Sequence, residues 1–178
     1  MARAREVKRP STRGPRSRIR RYTVDASVFV NAFNPHEDGH EDSLAILAAI
    51  QQAGDPVVVP TLVLPEIASA VSRASGDADG ARQFVRATAA LPHVTLVALT
   101  SVCARQAAEL AATHRLRGAD SVYVAVAQRY GTTLVSRDEE QRSRASLVVT
   151  SLTPAAALRG RQTPRLARRT SPSVRRRG

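Results

Sequence analysis

From Arg21 onward, short apolar runs alternate with stretches in which apolar residues recur at helical spacing. Tyr22–Val24 predicts a first buried strand, followed by a helix through Ser27–Phe33. Leu44, Leu47 and Ala48, together with Ile46 and Ile50, predict a core-facing helix over Ser43–Ile50 that ends near Gly54. Val57–Val59, between two prolines, predicts a short strand. Thr61 offers an N-cap for a helix running to about Ser75, in which Pro65 fits only near the first turn, where a missing N–H is tolerated. Asp77–Ala90 predicts a helix, Val94–Leu99 a strand and Ser101–Thr113 a helix. Asp120–Tyr130 predicts a helix with Tyr123, Ala127 and Tyr130 on one stripe. Thr133–Val135 and Leu147–Thr150 complete about five short strands. This alternation predicts an α/β fold with a mainly parallel sheet and contains no internal repeat.

Length and charge refine the picture. With 178 residues, 43% hydrophobic content and 3% aromatics, the chain suits one domain packed with Ala, Val and Leu. The net charge of +12 is unevenly spread. Residues 1–21 carry nine basic residues and one acidic, and residues 155–178 carry eight basic and none acidic, which leaves the stretch between them at −4. The expected organisation is a basic, disordered tail over 1–20, one folded domain over 21–154, and a second basic, disordered tail over 155–178. Cys103, the lone cysteine, cannot form an internal disulfide. The basic N-terminal stretch lacks an apolar segment, and no apolar run is long enough to span a bilayer, so the expectation is a cytoplasmic protein without a membrane partner.

Several chemistries are excluded. Lys8 is the only lysine among 27 basic residues, so the folded part has neither a phosphate-loop lysine nor one for Schiff-base chemistry. The nine glycines form no dinucleotide-binding fingerprint, no Gly-x-Ser-x-Gly elbow is present, and one cysteine cannot build a zinc cluster by itself. Carboxylate chemistry remains.

Four acids stand in apolar settings at predicted strand ends or in the first turns of helices: Asp25, Glu66, Asp120 and Asp138. In a parallel sheet, functional groups gather beyond the carboxyl ends of the strands, at the point where strand order reverses. Clustered carboxylates repel, so a shared pocket implies shared protons or a bound cation; hard oxygen ligands select Mg²⁺ or Mn²⁺, and the combination points to a divalent-metal nuclease. Each acid also has an ordinary explanation. Asp25 and Asp120 suit helix starts, Glu66 can complement a helix dipole, and Asp138 opens the acidic run Asp138-Glu139-Glu140. The segment His36–Asp42 carries two histidines four apart, which fits zinc spacing only if a helix runs through Gly39. It reads instead as an exposed acidic loop leading into the Ser43 helix.

The run Val24-Asp25-Ala26-Ser27-Val28, the helical Glu66, the segment Leu116–Ala127 and the run Leu134–Asp138 resemble PIN-domain proteins, specifically VapC-type toxins of toxin–antitoxin pairs, over about residues 21–154. The resemblance implies a three-layer α/β/α sandwich, commonly a homodimer. It also implies that Asp25, Glu66, Asp120 and Asp138 form a Mg²⁺ or Mn²⁺ site that hydrolyses RNA phosphodiester bonds to leave a 5′-phosphate. Ser27 and Ser136, with Asn31 one helical turn on, would support these carboxylates by hydrogen bonding. Arg117 and Arg137 flank two of the acids and are candidate contacts for RNA phosphates. A VapB-like antitoxin is the implied partner. Such toxins usually begin almost at the first strand, whereas twenty residues precede Arg21 here. The alternatives are a PIN nuclease of RNA processing outside any such pair, and a catalytically silent RNA-binding protein that relies on its Arg-rich tails.

Overall fold

The structure is a computed structural model that describes residues 19–162. Its sheet has five parallel strands in the order β3-β2-β1-β4-β5: β1 Tyr22–Val24, β2 Val57–Pro60, β3 Val94–Val97, β4 Thr133–Val135 and β5 Ser151–Leu152. The strands between the edges are buried because helices cover both faces, and they accordingly read as continuous apolar runs. Thr23, the polar residue of β1, keeps its hydroxyl paired by donating to the Val58 carbonyl at 2.8 Å and meeting the Thr132 hydroxyl at 2.6 Å.

The helices are α1 Ala26–Phe33, α2 His40–Ala53, α3 Val63–Ser75, α4 Ala78–Ala89, α5 Ser101–His114, α6 Gly118–Tyr130, α7 Glu139–Ala145 and α8 Pro154–Gln162. Helices α1, α2, α3, α4 and α8 pack among themselves, while α6 lies across β2, β1 and β4 with α5 beside it. Right-handed crossovers require this division. The chain moves outward from β1 through β2 to β3, then returns past β1 to β4 and β5, so its helices change face. The reversal falls between β1 and β4, whose registers pair Val24 with Val135. The expected α/β fold with a five-stranded parallel sheet is the one observed.

Several boundaries differ from expectation for local reasons. Helix α2 begins at His40, three residues before Ser43, because Gly39 takes the left-handed turn (φ 75°) from which it starts. Thr61 does not cap α3. Leu62, the residue before the helix, is already in the right-handed helical region, and no side-chain cap bond forms there. The strand expected over Leu147–Thr150 is displaced to Ser151–Leu152, and Leu147 is exposed.

Helix α8 occupies the first part of the segment expected as a disordered tail. Arg161 donates to the Asp55 carboxylate, to the Ala49 carbonyl at 2.9 Å and to the Tyr22 hydroxyl at 3.3 Å. Asp55 is 5% exposed and also accepts from the Arg20 backbone N–H at 3.2 Å. This buried ion pair ties the last described helix to the start of β1 and the end of α2. The remainder of both basic segments lies outside the described residues. Among the described residues, no helix is long and apolar enough to cross a membrane.

Removing one partner of a largely buried pair leaves the other charge uncompensated. Asp55→Ala and Arg161→Ala are each expected to lower unfolding stability by roughly 3 kcal/mol. Urea denaturation of both single variants and of the double variant checks this, the double costing less than the two singles together.

Candidate active site

Asp25 follows β1 and Asp138 lies three residues beyond the end of β4, so both stand at the carboxyl edge where strand order reverses. The Asp25 backbone N–H donates to the Val135 carbonyl at 2.9 Å, extending the β1–β4 pairing to the base of the site. Both acids are helix N-caps. Asp25 Oδ1 accepts from the Ser27 N–H at 2.9 Å, and Asp138 Oδ1 accepts from the Gln141 N–H at 2.9 Å. Capping therefore accounts for one oxygen of each carboxylate and leaves the other to face different partners. Glu66 enters from the first turn of α3 and Asp120 from the first turn of α6.

Three of the four acids feel the charge of others in the set. Burial raises the pKa of Asp25, hydrogen bonds from Ser27 and Gln141 oppose the rise, and the Asp138 charge adds to it. Glu66 is raised by burial, against the hydrogen bond from Tyr123, with Asp25 and Asp120 adding to the shift. Asp120 is pushed up to about 6, first by burial and then by the charges of Asp25 and Asp138; Arg117 counteracts. All three shifts combine desolvation with like-charge repulsion at one locus.

The hydrogen-bonding frame around these acids departs in part from expectation. Ser27 serves Asp25 through both side chain and backbone, and its Oγ also accepts from the Arg137 N–H at 3.2 Å. The Ser136 hydroxyl accepts from the backbone N–H of Asp138 at 3.0 Å, so it orders the chain at that acid without touching its carboxylate. Asn31 is fully buried, and its side-chain bonds go to residues other than the four acids. Its amide nitrogen donates to Glu37 Oε2 at 3.0 Å and to the Asp38 carbonyl at 3.2 Å, and its amide oxygen accepts from the Ser43 hydroxyl at 2.7 Å. Arg137 joins the same loop, donating to Glu37 at 3.3 Å and to the Asp38 carbonyl at 2.5 Å. Asn31 and Arg137 thus hold the turn before α2. Arg117, by contrast, is on the rim, donating to Asp138 Oδ2 at 3.3 Å and to Glu140 at 2.9 Å with most of its side chain exposed.

Two residues of the frame escaped sequence reasoning. Tyr123, fully buried, donates its hydroxyl to Glu66; burial and the charges of Asp25 and Glu66 hold its pKa far above the usual phenol value, so the proton stays on the tyrosine. Its place on an apolar stripe marked it as core. Gln141, 1% exposed, donates Nε2 to Asp25 Oδ2 at 3.3 Å. The spacing Asp138-x-x-Gln141 is that of a capping box, which signals a helix start but not the contact with Asp25.

The donor set suits a hard divalent cation: four carboxylates with no thiolate or imidazole, three of them with pKa values raised by burial and, to a lesser degree, by neighbouring carboxylates whose repulsion a cation would relieve. Among the described residues, no three His, Cys, Asp or Glu side chains form a ready ligand cage. The fit is therefore to an ion that takes one or two carboxylates directly and reaches the others through water, as Mg²⁺ typically does.

The PIN domain family model matches residues 22–147. No curated protein matches the sequence. Among solved structures, the fold is similar to that of Mycobacterium tuberculosis VapC20, described as a sarcin-ricin loop cleaving toxin, with a TM-score of 0.60 and 20% identity over 68% of this chain and 93% of that one. It is also similar to VapBC2 from Rickettsia felis, solved bound to a DNA fragment from its promoter, with a TM-score of 0.57 and 17% identity over 75% of this chain and 98% of that one. FitAcB from Neisseria gonorrhoeae gives a TM-score of 0.57 and 20% identity over 75% of this chain and 97% of that one. With the family model spanning every strand but the last and all four acids, the chain belongs to the PIN domain family.

Proposed function

We propose that the chain is a Mg²⁺- or Mn²⁺-dependent endoribonuclease and the toxin of a toxin–antitoxin pair. The observation that carries the reading is the placement of Asp25 and Asp138 at the carboxyl edge where strand order reverses, with Glu66 and Asp120 entering from first helical turns close enough to feel the charge of Asp25. The toxin assignment is supported by fold likeness to VapC20, which cleaves the sarcin-ricin loop, and to the VapBC2 and FitAcB structures. By analogy with VapBC2, the partner is a VapB-like antitoxin; the family resemblance implies a homodimer as the active form.

Asp25, Glu66, Asp120 and Asp138 would hold the cation, directly or through water. When bound, the cation lowers the pKa of water and polarises the phosphoryl oxygen. The chain's own residues set the stage. Ser27 and Gln141 fix the Asp25 carboxylate, Tyr123 fixes Glu66, and the Ser136 hydroxyl fixes the backbone at Asp138. Arg117, exposed and, among the described residues, paired with Asp138 and Glu140, is placed to exchange either for an RNA phosphate. Arg137 is the weaker phosphate candidate because Glu37 and Asp38 already engage it.

Asp25→Asn and Asp138→Asn are each expected to reduce Mn²⁺-dependent cleavage of total RNA by roughly 100-fold or more with the fold retained. Gel analysis with mapping of cut ends, alongside circular dichroism, checks this; unchanged cleavage in both variants refutes the site. Arg117→Ala should weaken RNA binding and reduce its salt dependence by about one phosphate contact, read by fluorescence anisotropy across salt concentrations.

The raised acids also predict a pH dependence of stability. An acid with a higher pKa folded than unfolded stabilises the fold while protonated, so the contribution is complete below about 3.8 and lost as pH rises through about 6 for Asp120. Metal-free protein should therefore be less stable at pH 8 than at pH 5, with Asp120 contributing on the order of 1 kcal/mol once solvent screening of a half-exposed group is allowed for. In thermal melts, Asp120→Asn should flatten this dependence, and Mn²⁺ should raise the Tm more at pH 8 than at pH 5.

A further inference from the structure

Gln141 occupies an unusual position for an amide. It is the third residue of α7, counted from the Asp138 cap, and in a capping box its side chain would fold back onto the backbone N–H of that cap. Here the Ser136 hydroxyl already accepts from the Asp138 N–H at 3.0 Å. The Gln141 amide is released and reaches across to Asp25, 116 residues away in sequence, donating Nε2 to Oδ2 at 3.3 Å. Meanwhile the backbone N–H of the same residue donates to Asp138 Oδ1 at 2.9 Å. One residue thus bridges the acids that follow the two strands flanking the reversal.

This bridge is bought at a loss of stability, because Gln141 Oε1 is buried and has no hydrogen-bond partner among the described residues. A buried amide oxygen without a partner is costly, and an apolar side chain of similar volume would remove that cost. Such a side chain would also leave Asp25 Oδ2 without its donor, while the Ser27 bonds to Asp25 and the cap at Asp138 would remain. A residue that costs stability yet links two members of a carboxylate cluster has the features of one retained for the site.

We infer that Gln141 is a positioning residue for the cation site: its amide holds the Asp25 carboxylate toward Asp138, and this orientation sets the affinity for a divalent ion. The inference rests on the metal-site reading given above and assigns to this chain a determinant of affinity outside the acidic quartet. A glutamate of the same shape would not substitute, since it has no donor for Asp25 and would add a fifth negative charge.

The test is calorimetric titration of Mn²⁺ into the full-length chain and into Gln141→Met and Gln141→Leu, with the Tm of each measured metal-free. The expected result is a metal-free Tm equal to or above that of the parent, together with a Kd for Mn²⁺ raised tenfold or more, the range seen when a hydrogen-bond partner of a metal ligand is lost. A Kd unchanged in both variants overturns the inference. So does a Kd that weakens only in step with a falling Tm in both, because that is the signature of a purely structural residue. Failure of the parent itself to bind Mn²⁺ refutes the metal-site reading, and this inference with it; binding by the parent with unaltered binding by the variants refutes the inference alone.

Discussion

Like charges at the edge of an apolar sheet are the constraint around which this molecule is built. Two carboxylates about 4 Å apart repel by roughly 4 kcal/mol at an effective dielectric near 20, and partial burial adds a desolvation cost to each. The parallel sheet makes the crowding unavoidable. Pairing β1 with β4 brings the segments carrying Asp25 and Asp138 out on the same edge, and the helices that follow β2 and precede β4 bring in Glu66 and Asp120. Raised pKa values at Asp25, Glu66 and Asp120 are the visible consequence.

The fold offsets this repulsion with neutral donors more than with cations. Ser27, Gln141 and Tyr123 each direct an N–H or O–H at a carboxylate, whereas Arg117, which pairs with Asp138, stands at the exposed rim. Neutral donors orient an acid without cancelling its charge. The negative potential is therefore preserved where a divalent ion would need it, while each carboxylate loses rotational freedom. An arginine buried among the four would have stabilised the protein more and occupied the place of the ion.

What could be read from the sequence followed from locality. Asp25 and Asp138 stand directly beyond short apolar runs, and Glu66 and Asp120 in first helical turns, so topology alone sent them to one edge. Asn31, one helical turn from Ser27, was expected beside the acids; the hydrogen bonds of its side chain go instead to Glu37, Asp38 and Ser43, around the turn that Gly39 makes before α2. Tyr123 and Gln141 were hidden for the complementary reason: their partners lie 57 and 116 residues away, a separation no local pattern encodes. Helix α8 was lost within a basic composition, since Arg161 is accommodated through partners far away in sequence, the Asp55 carboxylate, the Ala49 carbonyl and the Tyr22 hydroxyl.

The distribution of charge sharpens what the site requires. Residues 19–162 carry 14 basic and 14 acidic residues, so the whole excess of +12 lies in residues 1–18 and 163–178. A body of zero net charge with four acids at its functional edge does not by itself draw a polyanion to that edge. Long-range attraction to RNA would come from the Arg-rich terminal segments, which act on any phosphate backbone and weaken with salt. Close approach is a separate matter. Within a few ångströms the local field of Asp25, Glu66, Asp120 and Asp138 dominates, and a phosphate can be accommodated there only once a cation has reversed its sign. On the proposed reading, attraction and chemistry would fall to different parts of the chain, the first to residues flanking the fold and the second to the four carboxylates at the sheet edge.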